Sequence, residues 1–399
     1  MRFGQLSFVI AMCLAEVLGM LSFAGFQALI PTFRAAWDLS NTEAGWISGF
    51  YFAGYVGAVP VLASLTDRVD PRRILLGSLA LGGAASLGFA LFADGFWTAL
   101  AFRALTGVGL AGTYMPGLKA LSDHIGGPHQ SRYVAFYTSS FGIGAALSFV
   151  LAGWAEASLG WGWAFGLAAV GSLLAVALTL AVLPPSPPAD RPETRLLDFR
   201  PVLANRGAMA FILGYFGHNW ELFAFRSWAV AFLVYAETLA GGGIGVAPTV
   251  IAAAATLLGV PSSILGNELA LRWGRRRLIV RVTLGSVALS LVIGFTAGLS
   301  LALVVGLCLV YGLLLTGDSA ALTAGTVAAA AAGLRGATLA MHAFVGFMGG
   351  IFGPLAVGMV LDAAGTGGPA GWGLGFAAMG AGSALALAAV TILGRRVSA

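Results

Sequence analysis

A histidine, an asparagine, a glutamate and an arginine stand together in one apolar run, GYFGHNWELFAFRSW, from Gly214 to Trp228. An imidazole and a carboxyl (His218 and Glu221) can take up and release a proton. A guanidinium (Arg226) is a permanent planar cation that grips carboxylates with two parallel hydrogen bonds. Asn219 adds a neutral donor and acceptor beside them. The run therefore holds the parts for binding an anion and for moving a proton. Further ionisable residues stand inside other apolar runs: Glu16, Arg103, Asp318 and His342. No phosphate-binding loop, paired-histidine metal motif or convincing Ser/His nucleophile site accompanies them, so no enzyme, metal or cofactor is expected. Cys13 and Cys308 both fall in apolar runs, which indicates neither a disulfide framework nor a metal site.

The elements that carry these residues follow from composition. Of 399 residues, 59% are hydrophobic, only 9% are charged and 58 are glycine. A soluble domain of this size needs a polar surface that such a chain cannot supply. Apolar runs of about 18 residues or more read as membrane spans, and they recur along the chain. Breaking them at charged, Pro- or Gly-rich punctuation predicts twelve helices: 6–30, 44–64, 74–93, 96–122, 133–156, 160–183, 208–236, 246–266, 278–297, 300–323, 337–361 and 372–394. The fold class is an all-α polytopic membrane protein. The first run is too long for a secretory signal and carries Glu16, so it reads as a retained span. The Pro-rich, charged stretch from Pro184 to Gly207 reads as a cytoplasmic linker between six-helix bundles at 1–183 and 208–399.

An isoelectric point near 9.6 invites nucleic acid as a partner, but the basic residues fall in short loops between spans. With the N-terminus inside, only Arg34 of the 21 Lys and Arg lies in an outer loop, and Arg103 and Arg226 lie within spans. That asymmetry places both termini in the cytoplasm and the chain in the cell (inner) membrane. Lipid and a small-molecule substrate are the expected partners, nucleic acid is not, and the chain is expected to work as a monomer.

The two halves are related. Glu16 and Glu221 are 205 positions apart, and the same offset joins Gly144 to Gly349 and Gly153 to Gly358. The loop ASLTDRVDPRRILL after the second helix matches NELALRWGRRRLIV after the eighth at an offset of 204. Two like-oriented six-helix halves form a recurring transporter architecture. On these residues the chain resembles the major facilitator superfamily along essentially its whole length. The family's loop signature, G-x-x-x-D-R-x-G-R-[RK], is met here by Ala63, Asp67, Arg68, Asp70, Arg72 and Arg73, with both glycines replaced. The second copy keeps Arg272, Gly274, Arg275 and Arg276 but has Leu271 in place of the acid. The resemblance implies a cytoplasmic latch built on Asp67, Arg68, Arg272 and Arg275; the plainer reading is a set of topological charges. RALTGVGLAG, from Arg103, fits the family's fourth-helix arginine. The fifth-helix proline signature of drug/proton exchangers is absent from GIGAALSFVLAG.

In the family that this chain resembles, helices one, four, seven and ten line a central cavity. Glu16, Arg103, Glu221, Arg226 and Asp318 fall on those four helices, which implies a water-filled substrate path lined by them. At about 100° per residue, His218 and Glu221 share one face of their helix and Asn219 and Arg226 another. Glu16, Glu221 and His218 are the proton-coupling candidates. Arg103, Arg226, Asn219, Tyr55 and Trp228 are the substrate-binding candidates, and Tyr51, Tyr114, Tyr215 and Trp220 are further aromatics able to shape a cavity. Asp318 and His342, at similar depth, are a candidate inner-gate pair. The structural alternatives are static ion pairs for the acids, a brace on helix one for Arg103 and a packing hydrogen bond for His342. The expected function is secondary active transport by alternating access, as proton-coupled symport of a small organic anion. The alternative is a proton-coupled exporter of cationic or lipophilic compounds.

Overall fold

The computed structural model describes residues 4–66, 68–127, 129–185, 199–365 and 368–394. Asp67, most of the expected linker and both chain ends lie outside the described residues. In chain order the helices are α1 (Gln5–Gly19), α2 (Gly25–Ala28), α3 (Ile30–Trp37), α4 (Asn41–Leu65), α5 (Pro71–Phe92), α6 (Phe96–Ala111), α7 (Tyr114–His124), α8 (Gln130–Leu159) and α9 (Trp161–Val182). They continue with α10 (Arg200–Ala204), α11 (Arg206–Ala240), α12 (Pro248–Trp273), α13 (Arg275–Ile293), α14 (Leu301–Thr316), α15 (Ser319–Ala329), α16 (Arg335–Ala364) and α17 (Pro369–Ile392). Among the described residues, 10 helices are long and apolar enough to cross a membrane, α14 and α15 counting together as Leu301–Ala329. The chain forms two compact units, Met1–Leu29 with Phe50–Leu196, and Ile30–Gly49 with Leu197–Ala399.

The expected first span is interrupted. After α1 the backbone opens between Met20 and Ala24, and an opened turn leaves carbonyl and N–H groups that must find other partners. Arg103 supplies two of them, donating from Nη1 to Ser22 O at 2.9 Å and from Nη2 to Phe23 O at 2.9 Å. The Ala24 N–H donates to Ser148 Oγ at 3.0 Å. The second half has no such break, since α11 runs unbroken for 35 residues. At the repeat offset of 205, Cys308 stands in place of Arg103 and Gly353 in place of Ser148. Without those side chains an opened turn would have nothing to satisfy it, so the helix stays closed.

Elsewhere the halves agree in detail. The fourth helix breaks at Gly112–Thr113, between α6 and α7, and α14 gives way to α15 at Gly317–Asp318, again 205 positions on. A Cβ on Gly107 would collide with Tyr51 O, and one on its counterpart Gly312 with Ala255 O. Small residues let membrane helices meet backbone to backbone. The loop arginines Arg72 and Arg276 each reach the carbonyl end of the last helix of their own unit, Leu180 O at 3.0 Å and Thr391 O at 3.1 Å. At the opposite end of the second unit, Asp362 accepts from the N–H groups of Asn41 (3.0 Å) and Thr42 (2.8 Å) and from both their side chains, capping α4.

Candidate functional site

Helix α11 carries most of the candidates, and its neighbours sort them by direction. Glu221 turns into the second unit, where it is 1% exposed. Tyr311 OH donates to its Oε1 at 2.6 Å, and Ser286 Oγ at 2.9 Å and Ser383 Oγ to its Oε2. These hydroxyls come from α14, α13 and α17. Glu16 is held more thinly in the first unit: Ser140 Oγ of α8 donates to Oε2, while Oε1 is buried without a hydrogen-bond partner among the described residues. The expectation that both acids line a water-filled path is therefore corrected: each is buried inside its own bundle, Glu221 received by three hydroxyls and Glu16 by one. Helix number and depth can be read from a sequence, but the azimuth a side chain finally takes depends on how the helix is rotated in its bundle.

His218 faces elsewhere. Its Nδ1 lies 2.8 Å from Asp318 Oδ1, an interior pair with both side chains almost wholly covered. The sequence expectation joined Asp318 to His342, and the structure corrects it. The break between α14 and α15 hands Asp318 to α11, while His342 is held on α15 by Thr326 Oγ1 at 3.0 Å and Thr323 Oγ1 at 3.2 Å. Tyr215 stacks against both imidazoles, with ring centres 4.0 Å from His342 and 5.5 Å from His218.

Beside this stack are polar atoms that make no hydrogen bond among the described residues, though Asn219 and Arg226 both lie close enough to act on the Tyr215 hydroxyl. Among the described residues, His218 Nε2, Asn219 Nδ2 and Arg226 Nε are buried without a hydrogen-bond partner. Arg226 is 9% exposed, and among the described residues it forms no ion pair. Its guanidinium lies 5.8 Å from the ring centre of Phe223, which in turn meets Phe347 at 5.7 Å. Helical side chains lean toward the N-terminus, so Arg226 reaches back along α11, within electrostatic reach of Tyr215. A buried, unpaired cation is costly, and no acid among the described residues pairs with it.

The remaining candidates have partners of their own. Arg103 spends its two terminal nitrogens on Ser22, Phe23 and Gln27 Oε1 (3.1 Å) and lies 4.3 Å above the Tyr51 ring. That is the geometry of a brace across the opened first helix, the alternative reading of this residue. Trp228 Nε1 donates to Pro354 O at 2.9 Å, which ties α11 to α16. Tyr55 is buried in the first unit at 1% exposure. Of the latch set, Asp67 lies outside the described residues, Arg68 and Arg272 are exposed and Arg275 is half-buried. Sequence reasoning missed the hydroxyls that receive the acids, because Ser140, Ser286, Tyr311 and Ser383 are ordinary residues of apolar helices. Tyr215 is among the aromatics that the sequence marks as able to shape a cavity, and positions 215, 218 and 219 are helical neighbours.

The chain is 38% identical over 155 residues to a 3-(3-hydroxy-phenyl)propionate transporter of Escherichia coli (strain K12), covering 38% of this chain and 37% of that one. It is 28% identical over 152 residues to a probable sphingolipid transporter, spinster homolog 1, of Arabidopsis thaliana, covering 38% and 31%. Spinster homolog 1 of Bos taurus matches at 23% over 252 residues, covering 60% and 48%. The chain thus spans less than half the length of each of these relatives. Among solved structures, a bacterial homolog of the human lysosomal transporter spinster, inward-facing and unoccupied, shares the fold with a TM-score of 0.77 at 15% identity, over 98% of this chain and 96% of that one. The nucleoside transporter NupG does so at 0.78 and 14%, over 97% and 99%. A family model described as the Major Facilitator Superfamily matches residues 12–354, so this multi-pass membrane chain belongs to that superfamily of transporters.

Proposed function

We propose that the chain is a secondary transporter that carries a small organic anion together with one proton. It would work by alternating access in the cell membrane, as a monomer with both termini in the cytoplasm. The observation that carries the reading is Arg226: a covered cation with no acid to pair with among the described residues. Asn219, with its unpartnered Nδ2, shares its helical face. A carboxylate supplied by the substrate satisfies both. Phe223 and Phe347 beside the guanidinium suit a substrate with an aromatic body. The name of the Escherichia coli relative, an aryl-substituted propionate transporter, supports that class.

Coupling follows from charge. In this reading His218 gives its Nδ1–H to Asp318, 2.8 Å away, and its other ring nitrogen, Nε2, without a partner among the described residues, takes up the proton. A proton arriving there makes an imidazolium that Asp318 stabilises. The empty cluster then holds Arg226⁺ and Asp318⁻, a neutral sum. An anion alone would make it negative, and an anion with a proton restores neutrality. Moving net charge through apolar surroundings is expensive, so the two travel together. Glu221, met by three hydroxyls, and its repeat counterpart Glu16, met by Ser140, serve the scaffold in this reading. His218, Asn219, Arg226 and Asp318 stand opposite Cys13, Leu14, Leu21 and Thr113 in the repeat and belong to the second half alone.

The test is uptake of 3-(3-hydroxyphenyl)propionate into proteoliposomes, with an acidic exterior and with equal pH. Accumulation that needs the acid gradient and, with substrate well below the wild-type half-saturation, falls about tenfold or more in Arg226→Gln supports the proposal. Gradient-driven accumulation that is unchanged in Arg226→Gln under those conditions removes it. The spinster relatives favour a second reading, proton-coupled export of a lipophilic compound. Acid-driven movement of a sphingoid base, with no movement of the aryl acid, would select that reading instead.

A further inference from the structure

A second cation stands apart from this cluster. Arg34 is the lone basic residue that the charge pattern leaves on the outer side, where basic residues are normally avoided. In the structure it lines a cavity of about 390 Å³ in the second unit, together with Val234, Tyr235, Leu361 and Trp372. The volume falls in the usual range for small-molecule sites, about 300–1,000 Å³, and the mixture of apolar walls with few polar groups is typical of them. Arg34 donates from Nε to Leu39 O at 3.2 Å, which fixes the guanidinium plane. Among the described residues it forms no ion pair. Two acids are near. Asp362 has both oxygens taken by Asn41 and Thr42, and Asp38, on the rim, is exposed to water. Burial lowers the Arg34 pKa and Asp362 opposes that, which leaves the group a cation. Tyr235 adds a hydroxyl that is buried without a partner among the described residues, on a ring 6.0 Å from that of Trp372.

We propose that this cavity is a second binding site for the transported anion, with Arg34 holding the carboxylate, Tyr235 OH donating to it and Trp372 packing on the aromatic body. The inference rests on the aryl-acid reading given above. With the orientation proposed there, the site opens toward the outside. It would gather substrate before transport, since a cation in a recess raises the local concentration of an anion. The chemistry matches that of the Arg226 cluster in kind, a guanidinium beside aromatic rings. The nearby acids, however, are Asp362, whose oxygens accept from Asn41 and Thr42, and the water-exposed Asp38. Among the described residues no buried imidazole–carboxylate pair like His218–Asp318 accompanies it. Binding here is therefore expected to be independent of the proton gradient.

Equilibrium dialysis of the purified full-length protein with radiolabelled 3-(3-hydroxyphenyl)propionate tests the idea. The wild type is expected to bind two molecules per chain. Arg34→Gln and Arg226→Gln are each expected to leave one, and Tyr235→Phe, which removes only a hydroxyl, is expected to weaken the Arg34 site by about tenfold. One molecule bound by the wild type, lost in Arg226→Gln and untouched by Arg34→Gln and Tyr235→Phe, overturns the second site and leaves the proposed function standing. One molecule lost in Arg34→Gln and kept in Arg226→Gln supports the outer site and removes Arg226 as the substrate anchor. No binding at all overturns both.

Discussion

His218 and Asp318 stand 100 positions apart in the chain and 2.8 Å apart in the interior of the second unit. The contact exists because α14 ends at Thr316 and α15 begins at Ser319. In that short gap the backbone turns the Asp318 carboxyl toward α11. If this pair carries the transported proton, Asp318→Asn should abolish uphill accumulation driven by an acidic exterior while leaving substrate counterflow. Transport in the variant should also lose its rise with external acidity. Equal loss of counterflow and accumulation would remove the coupling role.

Arg226 has no acidic partner among the described residues, so its removal should cost substrate more than it costs the fold. A charge-assisted hydrogen-bonded contact contributes about 1.5–3 kcal/mol, so Arg226→Gln should raise half-saturation roughly 10- to 100-fold. Arg226→Lys keeps the charge without the fork and should fall between. Initial-rate uptake across a concentration series decides this, and an unchanged half-saturation would contradict it.

Arg103 should behave in the opposite way. Its donors satisfy Ser22 O, Phe23 O and Gln27 Oε1 in the opened first helix, and Arg103→Ala takes that donor from all three, leaving Ser22 O with only the long contact from Gly25 N–H at 3.5 Å. The expected loss is about 3 kcal/mol or more. Thermal melting of the detergent-solubilised protein measures it, and a melting temperature equal to wild type would refute the brace.

Glu221 gives a graded series. Gln can still accept from Tyr311 and meet a serine, whereas Leu strands three hydroxyls at roughly 1–3 kcal/mol each. Stability should fall from wild type to Glu221→Gln and steeply to Glu221→Leu, read as folded yield and melting temperature. Both variants melting alike would show that the hydroxyl cage contributes nothing.

The sequence by itself determined the class of molecule and its internal repeat. An apolar run long enough to span a bilayer, or a glutamate recurring after 205 positions, is a one-dimensional fact that composition and spacing carry in full. It also placed the ionisable groups on their helices. Which way those groups point was decided by the tertiary structure alone. Glu221 and His218 are three residues apart and share a helical face, yet one meets hydroxyls from α13, α14 and α17 and the other meets Asp318. Asp318 left His342 for His218 because a helix break moved it, and Arg103 turned to carbonyls that exist only because α1 opens at Met20. Partners of this kind come from other helices, so they are fixed by the packing of the whole bundle and leave no mark in local spacing.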